Sequence, residues 1–584
     1  GSQSRGVSAM INRLFLSGVG LFALGAAITP VSASDSETEA EEASAESEKN
    51  AEQALVLGRG DFEGFRSVRS QEVSFTAEDF AFARTPLNIA VPAQAIRPDP
   101  EIIVRDEVGL EGYVDNADTQ PSVVQLFRQT NAGGGVSFNC TGTLINPRTV
   151  LTAAHCVNSA SSESYGLEDV ADSTILVSTG VDSSERLFTY LGSGVGYADG
   201  GVASSTDVII HASSNPEDGG LEFPWADIAL IALDAPITDV PSMPLLLTPL
   251  DQLTHMVVAG YGTFGTGDTG TDDIGFLRRV GENMLGAIAS PADLLDAVFP
   301  GAAPTATTSG AESQVFYFID FDDPTRTQAD IDGCTFGAVD FDCVNDDALK
   351  AIDWFPGDAL PLEAGTAGGD SGSALIADQL SDISFVTAVL SGGFDFTGLG
   401  NQYGDVSFYN PLYPFFEFIT ENTPYKYVSA KRGSVQWSDP DDWTQDLDPG
   451  FYIEDEEGDF VNGVPTGSEP GVYETGPKLG TILTDDVSDN VAIVSPILAA
   501  EGSANFGADT PDSSALLGPG STGFVPNNTD GTPGDSFTVP AQYFDVILNQ
   551  RGRVNVDIDV EIDKLTVAEN RLKVIVPTTQ TFTA

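Results

Sequence analysis

The sequence predicts an all-β protein in which short strands form a barrel or a sandwich, followed by a second β-rich module. From about Val123 onward, runs such as TVLTAA, STILVSTG and MVVAGYG are separated by Gly, Asp and Pro turns, which is typical of many short strands. Near the C-terminus, residues 543–576 alternate with a period of two, as half-buried strands do. The apolar face of that alternation carries Val554, Val556, Ile558, Val560 and Ile562.

The composition limits the function classes. The 584 residues include 87 Asp plus Glu and only 25 Lys plus Arg, a formal net charge of −62. Phosphate binding needs clustered cations, so the charge excludes a nucleic-acid partner. The acidic residues form no convincing spaced calcium-binding loop. We expect no metal and no organic cofactor.

The N-terminus resembles an export signal. Arg5 and Arg13 precede the apolar run LFLSGVGLFALGAAI, and residues 31–33, VSA, offer a small-residue cleavage site. The run is shorter than the roughly twenty residues of a membrane span, and no later run is long enough for one. We predict a signal peptide over residues 1–33 and a secreted or cell-surface protein without a membrane span.

Composition also suggests the domain boundaries. Residues 34–114 begin with a low-complexity acidic stretch, which predicts a linker or pro-segment. The β-rich texture covers residues 115–428, and residues 429–584 differ again, being first rich in Gly, Pro and Asp and then alternating. We therefore predict a main β domain over 115–428 and a separate C-terminal β module over 429–584.

The segment AGTAGGDSGSAL places Ser371 between glycines and directly after an aspartate. A serine hydroxyl is a weak nucleophile unless a base activates it, and the chain has only three histidines. His155 follows the predicted strand TVLTAA and precedes Cys156, whereas His211 and His255 have the context of ordinary structural histidines. A bond from Cys140 to Cys156 would fix the turn that carries His155, so His155 is the candidate base.

An acid that orients the base is harder to select because acids are so numerous. Asp227 stands out because it enters the apolar strand IALIAL. A buried carboxylate without hydrogen bonds costs several kcal/mol, and His155 would supply a donor to it. A turn or capping role for Asp227 remains the alternative at this stage.

Taken together, LTAAHC, DIALI and GDSGS resemble, in this order, the three signature segments of the chymotrypsin-like (trypsin-like) serine proteases. The similarity covers roughly residues 115–423. It implies two antiparallel six-stranded β-barrels with a catalytic triad in the cleft between them. It also implies a serine endopeptidase that hydrolyses protein or peptide substrates through an acyl-enzyme intermediate.

The resemblance assigns roles to residues of this sequence. Ser371 would attack the scissile carbonyl, His155 would transfer the proton, and Asp227 would orient His155. The backbone N–H groups of Gly369 and Ser371 would form the oxyanion hole. Such donors are each worth roughly 3–4 kcal/mol in the transition state.

The resemblance also assigns a substrate pocket. Gly365, six positions before Ser371, would form its floor, and Ser391 and Gly393 lie in the strand that would pair with the substrate backbone. Asp405 would lie on the opposite wall and attract a basic side chain. The alternative for Asp405 is a solvated loop residue.

Two features depart from the family. Its zymogens are cut to free an apolar amino terminus that pairs with the aspartate at Asp370, and this sequence has no matching IVGG-like start. Either a different cut occurs, for which Arg105 offers a basic site, or Asp370 has another partner. The His–Asp–Ser spacing is also long, which predicts an insertion over about 263–360, stapled by a Cys334–Cys343 disulfide.

The C-terminal module faintly resembles the strand repeats of autotransporter passenger domains. This implies either a fragment of a longer surface protein or a secreted enzyme with a β-solenoid-like appendage. Two other functions stay open: a catalytically silent adhesin or binding protein on the same scaffold, and a protease limited to cleaving its own chain. The sequence predicts no oligomeric state.

Overall fold

A computed structural model gives the conformation of most of the two β-rich regions. It describes residues 56–57, 71–72, 74–75, 102–130, 135–157, 173–211, 226–289, 315–325, 354–357, 359–394, 401–431, 433–465, 481–492, 518–531, 540–568 and 571–584. The predicted signal peptide, Cys334 and Cys343 lie outside these residues. Within the described ranges the α-helices are α1 Ala154–Val157, α2 Ser184–Ser193 and α3 Phe416–Asn422. None of the helices there is long and apolar enough to cross a membrane.

The first barrel is closed. Four short strands precede it: β1 Val56–Leu57, β2 Gln71–Glu72, β3 Ser74–Phe75 and β4 Ile102–Val104. Its six strands are β5 Val123–Thr130, β6 Val136–Asn146, β7 Thr149–Thr152, β8 Ser173–Ser178, β9 Ala203–Ile210 and β10 Ala229–Leu233. They pair antiparallel in the order β6-β5-β8-β9-β10-β7, and β7 pairs back with β6. This ring leaves its six strands no open edge.

The second barrel is a curled half-barrel. The strands in this part of the chain are β11 Leu245–Leu246, β12 Thr254–Gly260, β13 Thr263–Thr266, β14 Gly270–Ile274, β15 Arg279–Leu285, β16 Ala287–Ala289, β17 Phe316–Asp320, β18 Ala364–Gly365, β19 Ala374–Ala377, β20 Phe385–Phe394 and β21 Val406–Pro411. Six of them run antiparallel in the order β15-β12-β19-β20-β21-β17. The end strands meet where Asn283 Nδ2 donates to the Asp320 carbonyl at 2.6 Å.

A single hydrophobic core extends through both barrels. It includes Leu126 and Ile231 of the first barrel and Val258 and Leu390 of the second, all fully or almost fully buried. Because the core is continuous, the two barrels pack as one body. The predicted chymotrypsin-like double barrel is confirmed.

The C-terminal region is a β module with its own core. Its strands are β22 Tyr425–Ala430, β23 Gly433–Gln436, β24 Trp443–Gln445, β25 Phe451–Glu454, β26 Phe460–Asn462, β27 Thr481–Ile482, β28 Val491–Ala492, β29 Tyr543–Leu548, β30 Gly552–Asn555, β31 Val560–Glu561, β32 Lys564–Val567, β33 Leu572–Ile575 and β34 Phe582–Thr583. The separate core is built around Trp437 and Trp443, whose ring centroids lie 4.7 Å apart.

Parallel ladders stack successive passes of this module. β22, β29 and β32 pair in parallel, and so do β23, β30 and β33, as well as β31 and β34. Four residues of the predicted apolar face, Val554, Val556, Val560 and Ile562, are buried in its core, and Ile558 packs against them half-buried. They do not form one long strand, because the chain leaves the ladder between β30 and β31. This stacking of strands is solenoid-like, as expected from the sequence.

Two strands of the half-barrel lie within the range 263–360, where an insertion is predicted. β15 pairs with β12 along its whole length, and β17 pairs with β21, so both are strands of the half-barrel. Counting the spacing between His155 and Ser371 could not separate barrel strands from inserted loops. Residues 279–285 and 316–320, at least, are therefore barrel strands and not part of an inserted loop.

Strands also cross the predicted domain boundaries. β4 lies in the segment predicted as a linker, yet it pairs with β13 and β18 and is buried. From the C-terminal region, β25 pairs with β11 and β27 pairs with β16. Segments on both sides of residues 115–428 thus contribute strands: β4 to the four-stranded sheet β14-β13-β4-β18, and β25 and β27 to the extended sheet of the second barrel.

One buried arginine joins the C-terminal module to the first barrel. Arg148, in the turn between β6 and β7, donates from Nε and Nη2 to the two carboxylate oxygens of Asp563, both at 2.6 Å. Its Nη1 donates to the Leu233 carbonyl at 2.9 Å, and its guanidinium lies 4.1 Å from the centre of the Tyr543 ring. Both members of the ion pair are buried, so neither exchanges its partner for water at low cost.

We expect Arg148→Met to loosen the C-terminal module, because it leaves the buried Asp563 carboxylate without its cation. The free energy of unfolding should fall by about 3–5 kcal/mol, the usual cost of breaking a buried pair. Urea denaturation measures this loss, and Arg571→Met, at an exposed arginine of the same module, is the control. Equal stability of the two variants would show that the ion pair does not anchor the module.

Candidate active site

His155 lies at the end of a strand of the first barrel. β7 ends at Thr152, and the short helix α1 that follows carries His155 and Cys156. A disulfide joins Cys156 to Cys140 of β6, with the two Cα atoms 5.9 Å apart. The predicted Cys140–Cys156 pairing is confirmed, and it ties α1 to the neighbouring strand.

Asp227 faces His155 from the start of β10. Its Oδ2 lies 2.7 Å from His155 Nδ1, and its Oδ1 accepts from the His155 backbone N–H at 2.8 Å. Oδ2 also accepts from the Ser391 hydroxyl at 2.5 Å. An ionised carboxylate only accepts, so Nδ1 carries the ring proton and Nε2 is left with its lone pair.

The backbone before Asp227 is bent. Ala226 has φ of +55°, a left-handed conformation that costs a non-glycine residue roughly 1–2 kcal/mol. The turn brings the Ile228 N–H to 2.7 Å from the Ala226 carbonyl. Asp227 therefore leaves the strand at a sharp bend, which directs its carboxylate to His155.

Ser371 lies in a tight loop between β18 and β19. Gly369 has φ of +98° and Gly372 has φ of +81°, conformations that favour glycine. A Cβ at Gly369 would lie 2.5 Å from the Phe138 ring, and one at Gly372 would lie 2.0 Å from Thr152 Oγ1. Gly369 and Gly372 are therefore required by both the backbone angles and the space.

Strand β6 holds this loop against the first barrel. The Thr141 N–H donates to the Ser371 carbonyl at 3.0 Å, and Thr141 Oγ1 donates to the Gly369 carbonyl at 2.9 Å. Cys156 Sγ lies 3.4 Å from the Ser371 carbonyl oxygen and 3.9 Å from His155 Nε2. The structure thus brings His155, Asp227 and the Ser371 loop together at the seam between the barrels.

Strand β20 reaches the same seam from the second barrel. The Leu390 N–H donates to the Ser373 carbonyl, and the Gly372 N–H donates to the Leu390 carbonyl, both at 2.9 Å. The next residue, Ser391, contacts Asp227 as described above. One strand therefore positions both the serine loop and the acid.

The carboxylate of Asp370 is fully buried beside this loop. It accepts from the Gly262 N–H at 2.8 Å and from the Ala367 N–H at 2.9 Å. A Cβ at Gly260 would lie 2.1 Å from Asp370 Oδ1, so this glycine makes the space that the carboxylate fills. Burial raises the pKa of Asp370 to about 7, although the two amides and the charge of Arg279 act in the opposite direction.

The predicted pocket residues lie near this loop in different settings. Gly365, in β18, pairs with Ile103 of β4, and Gly393, in β20, pairs with Ser407 of β21. Asp405 precedes β21, and its Oδ2 accepts from the Gln402 N–H at 2.8 Å. Asp405 is buried, so the alternative of a solvated loop residue does not describe it.

Within the described residues, one group of possible metal ligands lies close together: the ligand atoms of Cys140, His155 and Cys156 are all within 4.8 Å of one another. The two sulfurs are joined in a disulfide and are not thiolates, so the group does not suit a metal ion. The other histidines lie elsewhere. His211 is buried against the Phe415 and Phe418 rings, and this burial lowers its pKa to about 4.

Sequence reasoning missed several residues of the site. Thr141 holds the serine loop, Gly260 and Gly262 make room for Asp370, and Ser391 bonds to Asp227 by its side chain. One indication of these residues is present in the sequence: they lie in or beside CTGT, AGYG and LSGG, segments that resemble the chymotrypsin-like serine proteases. Their contacts join strands far apart in sequence, so the signal did not give their roles.

The double barrel, with a histidine–aspartate pair and a GDSG loop at its seam, defines the class of the chymotrypsin-like serine proteases. A comparison with protein-family models supports the same class, because residues 110–275 match the model described as Trypsin. That range includes His155 and Asp227 and ends before Ser371. A search among curated proteins found no match. Residues 110–275 are therefore similar to a trypsin-family domain.

We expect the unfolding free energy of the wild type to fall relative to that of Asp370→Asn as the pH rises. The pKa of the folded-state carboxyl, about 7, lies above its unfolded value of 3.8, so near pH 5 the folded protein keeps a proton that the unfolded chain has released. Between pH 5 and pH 9 the relative loss should be about 3 kcal/mol. Urea denaturation across this range measures it.

The control for this experiment is Asp441→Asn, which replaces an exposed aspartate by the same change. Its stability should follow that of the wild type at each pH. Parallel pH curves for the wild type and Asp370→Asn would contradict a raised pKa at Asp370.

Proposed function

We propose that the protein is a serine endopeptidase that hydrolyses peptide bonds of protein or peptide substrates. The observation that carries the proposal is the arrangement at His155. Its Nδ1 lies 2.7 Å from Asp227 Oδ2, and its Nε2 lies 3.9 Å from Cys156 Sγ. That sulfur in turn lies 3.4 Å from the Ser371 carbonyl oxygen. The trypsin-family match supports the same reaction class.

In the proposed mechanism, Ser371 Oγ attacks the carbonyl carbon while His155 Nε2 takes its proton. Asp227 keeps the ring in this orientation and stabilises the imidazolium that forms. The N–H groups of Gly369 and Ser371 bind the oxyanion, and the imidazolium then protonates the leaving amine. Water attacks the resulting acyl-enzyme by the same steps, which releases the acid and restores Ser371.

The fixed tautomer of His155 is the physical basis of this mechanism. Three donors satisfy the oxygens of the Asp227 carboxylate, and one of these donors is the ring N–H at Nδ1. In the neutral ring the basic nitrogen is therefore Nε2, which lies 3.9 Å from Cys156 Sγ, the atom that contacts the Ser371 carbonyl. A base in the correct tautomer is what a serine hydroxyl needs to become a nucleophile.

The edge of β20 supports binding of an extended substrate. Gly392 and Gly393 pair with β21 on one side, and no strand in the part of the chain described here pairs with their other side. A substrate backbone would add to this side as another strand. Gly365 and Asp405 remain proposed pocket residues, with no side-chain preference assigned.

We expect a fluorophosphonate probe to label the wild type at Ser371 and to label neither Ser371→Ala nor His155→Ala. Both variants should lose peptide hydrolysis by a factor of about 10⁴ to 10⁶, because the nucleophile and its base act as a unit. Labelling on a gel and turnover of a peptide library measure the two effects. The matched controls are Ser381→Ala and His255→Ala, which change a serine and a histidine outside the seam.

The same samples separate the alternatives. Fragments of the chain that depend on Ser371, without turnover of added peptides, would favour a protease limited to self-cleavage. Absence of wild-type labelling, both before and after limited proteolysis, would favour a silent adhesin and would contradict the proposed function.

We also propose that residues 1–33 direct export of the protein. The Cys140–Cys156 disulfide supports this, since such bonds persist in oxidising compartments and are rare in the cytosol. N-terminal sequencing of the protein from the extracellular fraction should find Ser34 first. Recovery of the uncut N-terminus from the cytosol alone would contradict export.

A further inference from the structure

Asp370 raises a question of charge balance that the triad does not answer. Its carboxylate is completely buried, and its two hydrogen bonds come from neutral backbone amides. Amide dipoles compensate a buried charge only in part, and a buried carboxylate without a nearby cation tends to take up a proton. The shape of the Ser371 loop depends on this side chain, because its carboxylate bonds to Ala367 at the base of the loop.

The strand register places an arginine on the side of the sheet where Asp370 lies. Arg279 is directly opposite Gly260 in the antiparallel β12–β15 ladder. Directly opposite residues project to the same face, and the missing Cβ of Gly260 would point at Asp370 Oδ1. The Arg279 side chain, which is fully buried, is therefore on the face that Asp370 occupies.

Electrostatics agrees with this placement. The charge of Arg279 lowers the pKa of Asp370 and so favours the ionised carboxylate. Tyr409 of β21 also faces Asp370 electrostatically, since it is a buried phenol whose pKa is raised by burial and by the charge of Asp370. Tyr409 is neutral, so Arg279 is the cation among the groups that act on Asp370.

The chain before the barrel is built into the same region. β4 lies between β13 and β18, and Ile102, Ile103 and Val104 are buried there. Further on, Val114 pairs with Arg279 itself on the side of β15 away from Gly260. The segment in which an activating cut would fall is therefore part of the folded structure.

We propose that Arg279 is a positioning residue that supplies the positive charge for Asp370 from within the chain, so that the Gly369–Gly372 loop takes its active shape without a cut before Tyr113. The resemblance left open whether a freed amino terminus or another partner holds Asp370. Arg279 is that partner. The proposal rests on the proposed function only in its activity measurements, and its stability measurements are independent of it.

The first experiment is a double-mutant cycle between Arg279→Met and Asp370→Asn in the full chain, read as denaturation midpoints at pH 5 and pH 9. Loss of Arg279 should lower the midpoint more at pH 9, where Asp370 is ionised, than at pH 5. In the Asp370→Asn background this pH-dependent part should disappear. Additive effects at both pH values would overturn the proposal.

Two further variants control for loss of packing and for failure to fold. Arg279→Lys retains the charge and should show less pH-dependent loss than Arg279→Met. If Arg279→Met alone does not fold, Asp370→Asn should restore folding, because it removes the buried anion. Failure of the double variant to fold, when Asp370→Asn alone folds, would overturn the proposal.

The second experiment measures the pH dependence of fluorophosphonate labelling. At neutral pH the labelling rate of Arg279→Met should fall by up to about 100-fold, the effect of losing one oxyanion donor. The acid limb of its pH–rate curve should move to higher pH, because without the cation the Asp370 carboxyl group ionises only at a higher pH. Arg279→Lys should keep the limb near that of the wild type, whereas an unchanged limb in Arg279→Met would overturn the proposal.

The third measurement is the intact mass of the labelled protein. Label on chains that are uncut between residues 102 and 115 is expected, and Arg105→Gln should label as fast as the wild type. Label confined to chains cut in that range would overturn the proposal. If the wild type takes no label at all, the proposed function fails, and the double-mutant cycle alone decides the role of Arg279.

Discussion

The carboxylate of Asp227 is the interaction on which the arrangement of the two barrels at the site depends. It is buried and accepts three hydrogen bonds, two from His155 of the first barrel and one from Ser391 of the second. An ionised carboxylate without such donors costs several kcal/mol in an interior. The need to satisfy one charge therefore joins α1, the start of β10 and the middle of β20. The tautomer of His155, with the proton on Nδ1, is a consequence of the same bonds.

The second acid of the site, Asp370, is held by a different device. Two side chains and one backbone N–H satisfy the first carboxylate, whereas the second fits into space that glycines leave open and bonds only to backbone amides. Side chains at Gly260 or Gly262 would occupy the volume of Asp370. The shape of the serine loop thus depends on the absence of side chains at Gly260 and Gly262 as much as on the Asp370 side chain itself. This explains why the AGYG segment and the GGDSG segment, far apart in the chain, require each other.

Local sequence predicted the parts of the site that local structure determines. His155 after an apolar strand, Asp227 before one and the glycine-flanked Ser371 could all be selected from a few neighbouring residues, and the Cys140–Cys156 pair followed from its position. Contacts between distant strands could not be selected in this way. The pairing of β4 with β18, and of Arg279 with Gly260, has no signature within either segment. The boundaries at 114 and 428 and the bounds of an insertion are hard to place from sequence for the same reason, since each depends on which strand a segment joins.

The use of scarce cations connects the fold with the site. The chain has 25 lysines and arginines against 87 acids, yet it buries Arg148, Arg278 and Arg279 completely or nearly so. Arg278 bonds to Asp115 and Asp118 ahead of the first barrel, and Arg148 bonds to Asp563 of the C-terminal module. On a strongly acidic surface an added cation would be one charge among many and screened by salt. A cation in the interior needs a carboxylate partner at a fixed place, because both charges would otherwise be desolvated without compensation. These arginines therefore fix where distant parts of the chain meet, and Arg279 does so beside the serine loop.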